Sequence, residues 1–198
     1  DRLVTTESTS IQAGARSQQG APGNVTIKTN TTDPNTQIIS VINKSIAAAN
    51  VTLTTNNGFN FDQTALIKKT STPETTLTIN AQQAINMAGQ IMSDFYSPLN
   101  LSLMSLQAIN FTATSNTQVA FLEAAAPEIN AGGDILTYGG HGSHMPFMQM
   151  MASRLVITRR LRSGSSMNRG SISINGSHSV EITSTASIVA SGNEGGLI

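Results

Sequence analysis

The chain has 198 residues, with 11 Lys+Arg balanced by 11 Asp+Glu, no Cys and no Trp. Charged residues make up 11% of it, where a soluble domain carries about 25%; Ser, Thr and Asn fill close to a third of the positions. A hydrophobic share of 38% excludes a fully disordered chain. Zero net charge argues against nucleic acid as a partner, and the lack of Cys removes disulfides, thiolate metal sites and thiol nucleophiles.

Taken in chain order, short runs of alternating apolar and small polar residues recur throughout. They include Val25-Thr26-Ile27, Val51-Thr52-Leu53, Leu77-Thr78-Ile79, Leu99-Asn100-Leu101, Ile109-Asn110-Phe111, Ile135-Leu136-Thr137, Leu155-Val156-Ile157, Ile172-Ser173-Ile174 and Val180-Glu181-Ile182. A period of two with β-branched residues predicts strands with one buried face.

Their spacing is regular. Val25, Val51, Leu77 and Leu101 follow one another at 26, 26 and 24 positions; a second series joins Ile85, Ile109 and Ile135; a third joins Leu155 to Val180 and Ile172 to Leu197. The phrase Gln83-Ala84-Ile85-Asn86 returns as Gln107-Ala108-Ile109-Asn110. Such a period, with several short strands in each repeat, predicts an all-β parallel β-solenoid of about eight coils of roughly 24–26 residues. At a strand spacing of about 4.8 Å that is a rod about 40 Å long. Inward positions take Val, Ile and Leu. Outward positions take Ser, Thr and Asn, because like charges stacked from coil to coil repel.

Between residues 139 and 170 the alternation weakens and Met and Arg take over. The expected organisation is therefore coils over 1–138, a Met/Arg-rich irregular loop or short helix over 139–170, and further coils over 171–198 that continue past the chain end. Neither end shows a polar cap.

Gly170-Ser171-Ile172-Ser173-Ile174-Asn175-Gly176, Ala131-Gly132-Gly133-Asp134-Ile135 and the run Ser187–Gly196 resemble filamentous-haemagglutinin-type repeats of large bacterial exoproteins. The resemblance covers roughly 23–138 and 170–198. It implies a right-handed parallel β-helix, export by two-partner secretion through an outer-membrane transporter, and a secreted or cell-surface virulence adhesin. Asp33-Pro34-Asn35-Thr36 departs from the family's secretion-domain motif at its first and last positions, which points to an internal segment of the shaft.

Arg154, Arg159, Arg160, Arg162 and Arg169 lie within sixteen residues, and no acid occurs between Asp134 and Glu181. Guanidinium forks hold sulfate and phosphate groups in a bidentate way, so this cluster is the candidate anionic-glycan site, for sulfated glycan, lipopolysaccharide or phosphate. Sequons at Asn24, Asn30, Asn43, Asn50, Asn100, Asn110 and Asn175 are candidate glycosylation sites. His141 and His144 stand three apart without a third ligand, so no metal is expected, and Ser143 has no orienting acid for triad chemistry. Glu123, Glu128 and Asp134 are the closest acids and match no coil period. The expectation is a non-catalytic, cofactor-free adhesive shaft whose partner is a host-cell receptor or glycan. The alternatives are a fibre subunit associating end to end, and a carbohydrate-active β-helix enzyme or phage tailspike.

Overall fold

The computed structural model describes residues 9–13, 23–29, 36–139, 145–164, 169–192 and 197–198, with side chains from residue 38 onward. The strands are β1 (Thr9–Ala13) and β2 (Gly23–Thr29), then, after helix α1 (Thr36–Ile46), β3 (Ala49–Thr55), β4 (Phe59–Phe61) and β5 (Leu66–Lys68). The next two turns repeat that trio as β6 (Thr75–Ala81), β7 (Ile85–Met87), β8 (Gln90–Met92) and β9 (Leu99–Ser105), β10 (Ala108–Phe111), β11 (Asn116–Val119). Later turns merge the first two strands into one: β12 (Phe121–Ala131) with β13 (Asp134–Thr137), β14 (Phe147–Ile157) with β15 (Arg160–Ser163), and β16 (Ser171–Ile182) with β17 (Ser187–Ala190).

Every pairing from β2 onward is parallel. The result is a parallel β-solenoid of about five turns. Each turn has three faces: a first face (β3, β6, β9 and the starts of β12, β14, β16), a second (β4, β7, β10 and the ends of those long strands), and a third (β5, β8, β11, β13, β15, β17).

Stacking explains the apolar alternation, because an inward residue finds its cover only in the coil above or below. Val51, Leu77, Leu101, Leu122, Met148 and Ile172 form one inward row, all nearly inaccessible to solvent. The series Val25–Val51–Leu77–Leu101 is matched in register, as are Ile85 with Ile109 and Leu155 with Val180. Two expected pairings shift. Ile109 stacks on Ile129 rather than Ile135, which belongs to the third face, and Leu197 bridges Ser171 rather than Ile172.

The first shift comes from the link between third and first faces, which is Ala120 alone from β11 to β12 but six residues from β8 to β9, and corners also differ in length. The turn from second to third face is wide in three coils (Asp62–Ala65, Thr112–Ser115, Thr183–Ala186), each closed by a backbone bond from its last residue to the carbonyl of its first. In the others it is tight, at Ala88-Gly89, Gly132-Gly133 and Thr158-Arg159. Gly89 sits beneath the Asp62–Ala65 turn, where a Cβ would lie 2.5 Å from both the Asp62 and Ala65 carbonyl oxygens. Gly133 sits likewise beneath Thr112–Ser115. Only glycine permits that approach.

Within 139–170 the described residues include two regular strands, Phe147–Ile157 and Arg160–Ser163, where a loop or short helix was expected. β14 pairs with β12 and β16 over its length, and β15 pairs with β13 and β17, so both sheets run across the expected boundaries at 138 and 171. Met148 and Met150 point inward and are buried, while Phe147, Gln149 and Met151 alternate outward. The methionines follow a strand period of two, and their unbranched side chains fill the core.

The described residues hold one helix, α1, before β3 rather than near 139–170. Ile38, Ile42 and Ile46 recur every four residues, lie on one face and are buried against the first coil. Before β3 the described residues form α1 and the hairpin β1–β2, whose β2 stacks in parallel on β3, and the described three-faced turns number about five. That helix also supplies the polar cap the sequence did not reveal. Asn43 donates to the Leu66 carbonyl at 2.9 Å and accepts from the Lys68 amide at 2.8 Å, occupying the β5 edge as a neighbouring strand would. At the opposite end the inward rows finish at Val180 and Ile182, 42% and 56% exposed.

Candidate functional site

Outward residues stack into rows as regularly as inward ones. On the second face Asn86 donates to Asn60, Asn110 to Asn86 and Asn130 to Asn110, at 2.6, 2.7 and 2.8 Å. The row makes a side-chain ladder parallel to the backbone one. It accounts for several sequons structurally. Asn110 uses its amide in this ladder, Asn100 donates to Glu74, Asn50 accepts from the Thr76 amide, and Asn43 caps β5. A glycan on any of the amides that donate would break its bond. Asn175 on β16 is exposed; the side chains of Asn24 and Asn30 lie outside the described residues.

Stacking divides the five arginines. Arg154, on the second face, sits between Glu128 of the coil before (2.8 Å) and Glu181 of the coil after (3.9 Å). Arg159 is exposed at the tight corner, and Arg169 is exposed just before β16. Arg160 and Arg162 alternate along β15 and point out from the third face. Arg160 donates to Asp134 at 3.1 Å, while Arg162 has no ion pair among the described residues.

The third-face pair belongs to a pocket of about 240 Å³, lined by Asn116, Gln118, Asp134, Ile135, Leu136, Arg160 and Arg162. Register builds it: Asn116 neighbours Asp134 and Gln118 neighbours Leu136 across β11 and β13, and Leu136 neighbours Arg162 across β13 and β15. The arginines were legible in the sequence; Asn116 and Gln118 were not. Asp134 lies 26 positions from Arg160, one repeat away, so that partner was within reach of the period. Asn116 and Asp134 are only 18 apart, because a tight corner and a short link follow the wide one, and no constant period links them.

Other candidate chemistry is dispersed. Glu123 lies on the first face, Glu128 on the second and Asp134 on the third, so the nearest acids in sequence face three directions. Asp62 accepts from its own neighbour Thr64 in a wide turn, which holds its carboxyl below the usual range. Among the described residues no three His, Asp or Glu side chains group to hold a metal; His141, Ser143 and His144 lie outside those residues. A second groove, about 470 Å³ and almost wholly apolar, runs along the outer bend between first and second faces, with Met104, Leu106, Ala125 and Ala126 in its walls. No helix among the described residues is long and apolar enough to cross a membrane.

Two buried polar groups are structural. Lys69, 2% exposed, donates to the last carbonyl of α1, Ile46, at 2.9 Å and to Ser71 at 2.8 Å. It caps the helix C-terminus, and burial lowers its pKa to about 8. The Tyr138 hydroxyl pairs with Ser93 inside the stack, and burial pushes it well above its ordinary value.

No family model, curated protein or solved structure matches this chain.

Proposed function

We propose that the chain is a length of rigid shaft from a secreted or cell-surface bacterial adhesin, a right-handed β-helix of the filamentous-haemagglutinin kind exported through an outer-membrane transporter. The observation that carries this reading is the in-register stack of outward rows, which turns scattered polar residues into continuous surfaces suited to an extended ligand. On the third face such rows bring Asn116, Gln118, Asp134, Arg160 and Arg162 together. The dispersal of Glu123, Glu128 and Asp134 over three faces weighs against a glycoside-hydrolysing site, which uses paired carboxylates about 5–9.5 Å apart.

End-to-end fibre assembly is the weaker reading: a head-to-tail contact needs complementary open edges, and Asn43 of α1 occupies the β5 edge. The adhesive reading is tested by applying the purified chain to host cells and to a glycan array, with Arg159, Arg160, Arg162 and Arg169 replaced by Ser in parallel. Saturable attachment that weakens in the variant is expected; no attachment by either form overturns the reading.

A further inference from the structure

We infer that the third-face pocket between β11, β13 and β15 binds a carboxylate-bearing sugar, of the uronic acid class, within an acidic polysaccharide. This deepens the adhesive reading and rests on it.

The pocket supplies one free cation and one anchored anion. Arg162 has no acid beside it among the described residues, and its planar fork matches a carboxylate in a bidentate way. Asp134 is fixed through its Oδ2 by Arg160 at 3.1 Å, so its carboxylate retains lone pairs for sugar hydroxyls. The side-chain amides of Asn116 and Gln118 make no hydrogen bond within the protein among the described residues, and each can both donate to and accept from a hydroxyl. Leu136, between Gln118 and Arg162 in register, offers an apolar floor for the C–H face of a ring.

Size and charge narrow the class. About 240 Å³ is below the roughly 300 Å³ at which pockets begin to enclose drug-sized ligands, so it suits a single ring and leaves the rest of a polymer on the open face. Rings carrying several sulfates each would set more than one anion beside Asp134 and against Arg162, which has no ion pair among the described residues, and like charges at that range repel; a uronate ring brings one. A sugar with one carboxylate and several hydroxyls satisfies every group.

Calorimetric titration of the full chain with a galacturonic acid trimer tests this, beside the carboxyl-reduced neutral trimer and a sulfated galactose trimer. The uronate trimer is expected to bind, and the other two to bind more weakly. Arg162→Gln is expected to weaken uronate binding by about tenfold or more, Asp134→Asn to weaken it as well, and Arg154→Gln, on another face, to leave it unchanged. Melting curves of each variant establish that it folds. Equal binding of the neutral or sulfated trimer, no uronate binding, or an Arg162→Gln variant that binds like the original overturns the inference. If the chain still attaches to cells or other glycans while the uronate trimer fails, the carboxylate site falls and the adhesive reading stands; attachment to nothing removes both.

Discussion

Asn86 donates its side-chain amide to Asn60 Oδ1 at 2.6 Å, although 26 residues separate them. Asn110 repeats the contact one coil on, so Asn86 is at once donor and acceptor in a half-buried row. Asn86→Ala removes both bonds, so the Asn60 acceptor and the Asn110 donor each lose one, at a cost of about 1–3 kcal/mol. Asn175→Ala, at an exposed position, is expected to change stability by less than about 0.5 kcal/mol. Urea unfolding of the two variants checks the difference.

Gly133 makes a sharper test of the corners. An added Cβ would meet Ser115 Oγ and lie 2.7 Å from the Thr112 carbonyl oxygen, so the wide turn above it must shift. Gly133→Ala is expected to cost about 1–3 kcal/mol as overpacking. Loss of that magnitude in thermal unfolding supports the alternation of wide and tight corners. An unchanged midpoint contradicts it.

Lys69 and Tyr138 give the pH dependence a sign. Lys69 falls from 10.5 to about 8 in the folded chain. Between those values the unfolded chain holds a proton that the folded chain lacks, so stability rises with pH across that window, by up to about 3 kcal/mol. Tyr138 is raised above its ordinary 10.0; above pH 10 the folded chain holds a proton that the unfolded chain releases, and stability falls. Denaturant midpoints are expected to peak near pH 10, and Lys69→Met to flatten the rise below that peak.

Arg154 is expected to matter little to the fold despite its two acid neighbours. Its side chain is 49% exposed and that of Glu128 42%, and exposed pairs contribute about 1 kcal/mol or less. Arg154→Gln should therefore shift the melting midpoint only slightly, and less still at high salt.

How much of this was written in the residues depends on the kind of contact. The rows Val51–Leu77–Leu101 and the twin Gln-Ala-Ile-Asn phrases were legible, because coils of equal length repeat their spacing. Ile135 lies 26 positions from Ile109 but on another face, because β11 runs into β12 across Ala120 alone and that coil is only 20 residues long. Met148 and Met150 alternate as any inward strand pair does, but unbranched Met carries none of the strand preference that marks the Val and Ile of the other rows. The Ile38–Ile42–Ile46 spacing carried a helical signal, hidden among β-branched residues that otherwise favour strands. The pairing of Arg154 with Glu128 spans the same 26 positions as that of Arg160 with Asp134, so both were within reach of the period.

A shaft that binds acidic glycan without cleaving it returns the polymer whole. Incubating the full chain with polygalacturonate, then measuring polymer mass by size-exclusion chromatography with light scattering, tests this most directly. Retention of the polymer by the protein with no change in its mass is the predicted result. A shortened polymer, or one that never associates with the protein, would contradict it.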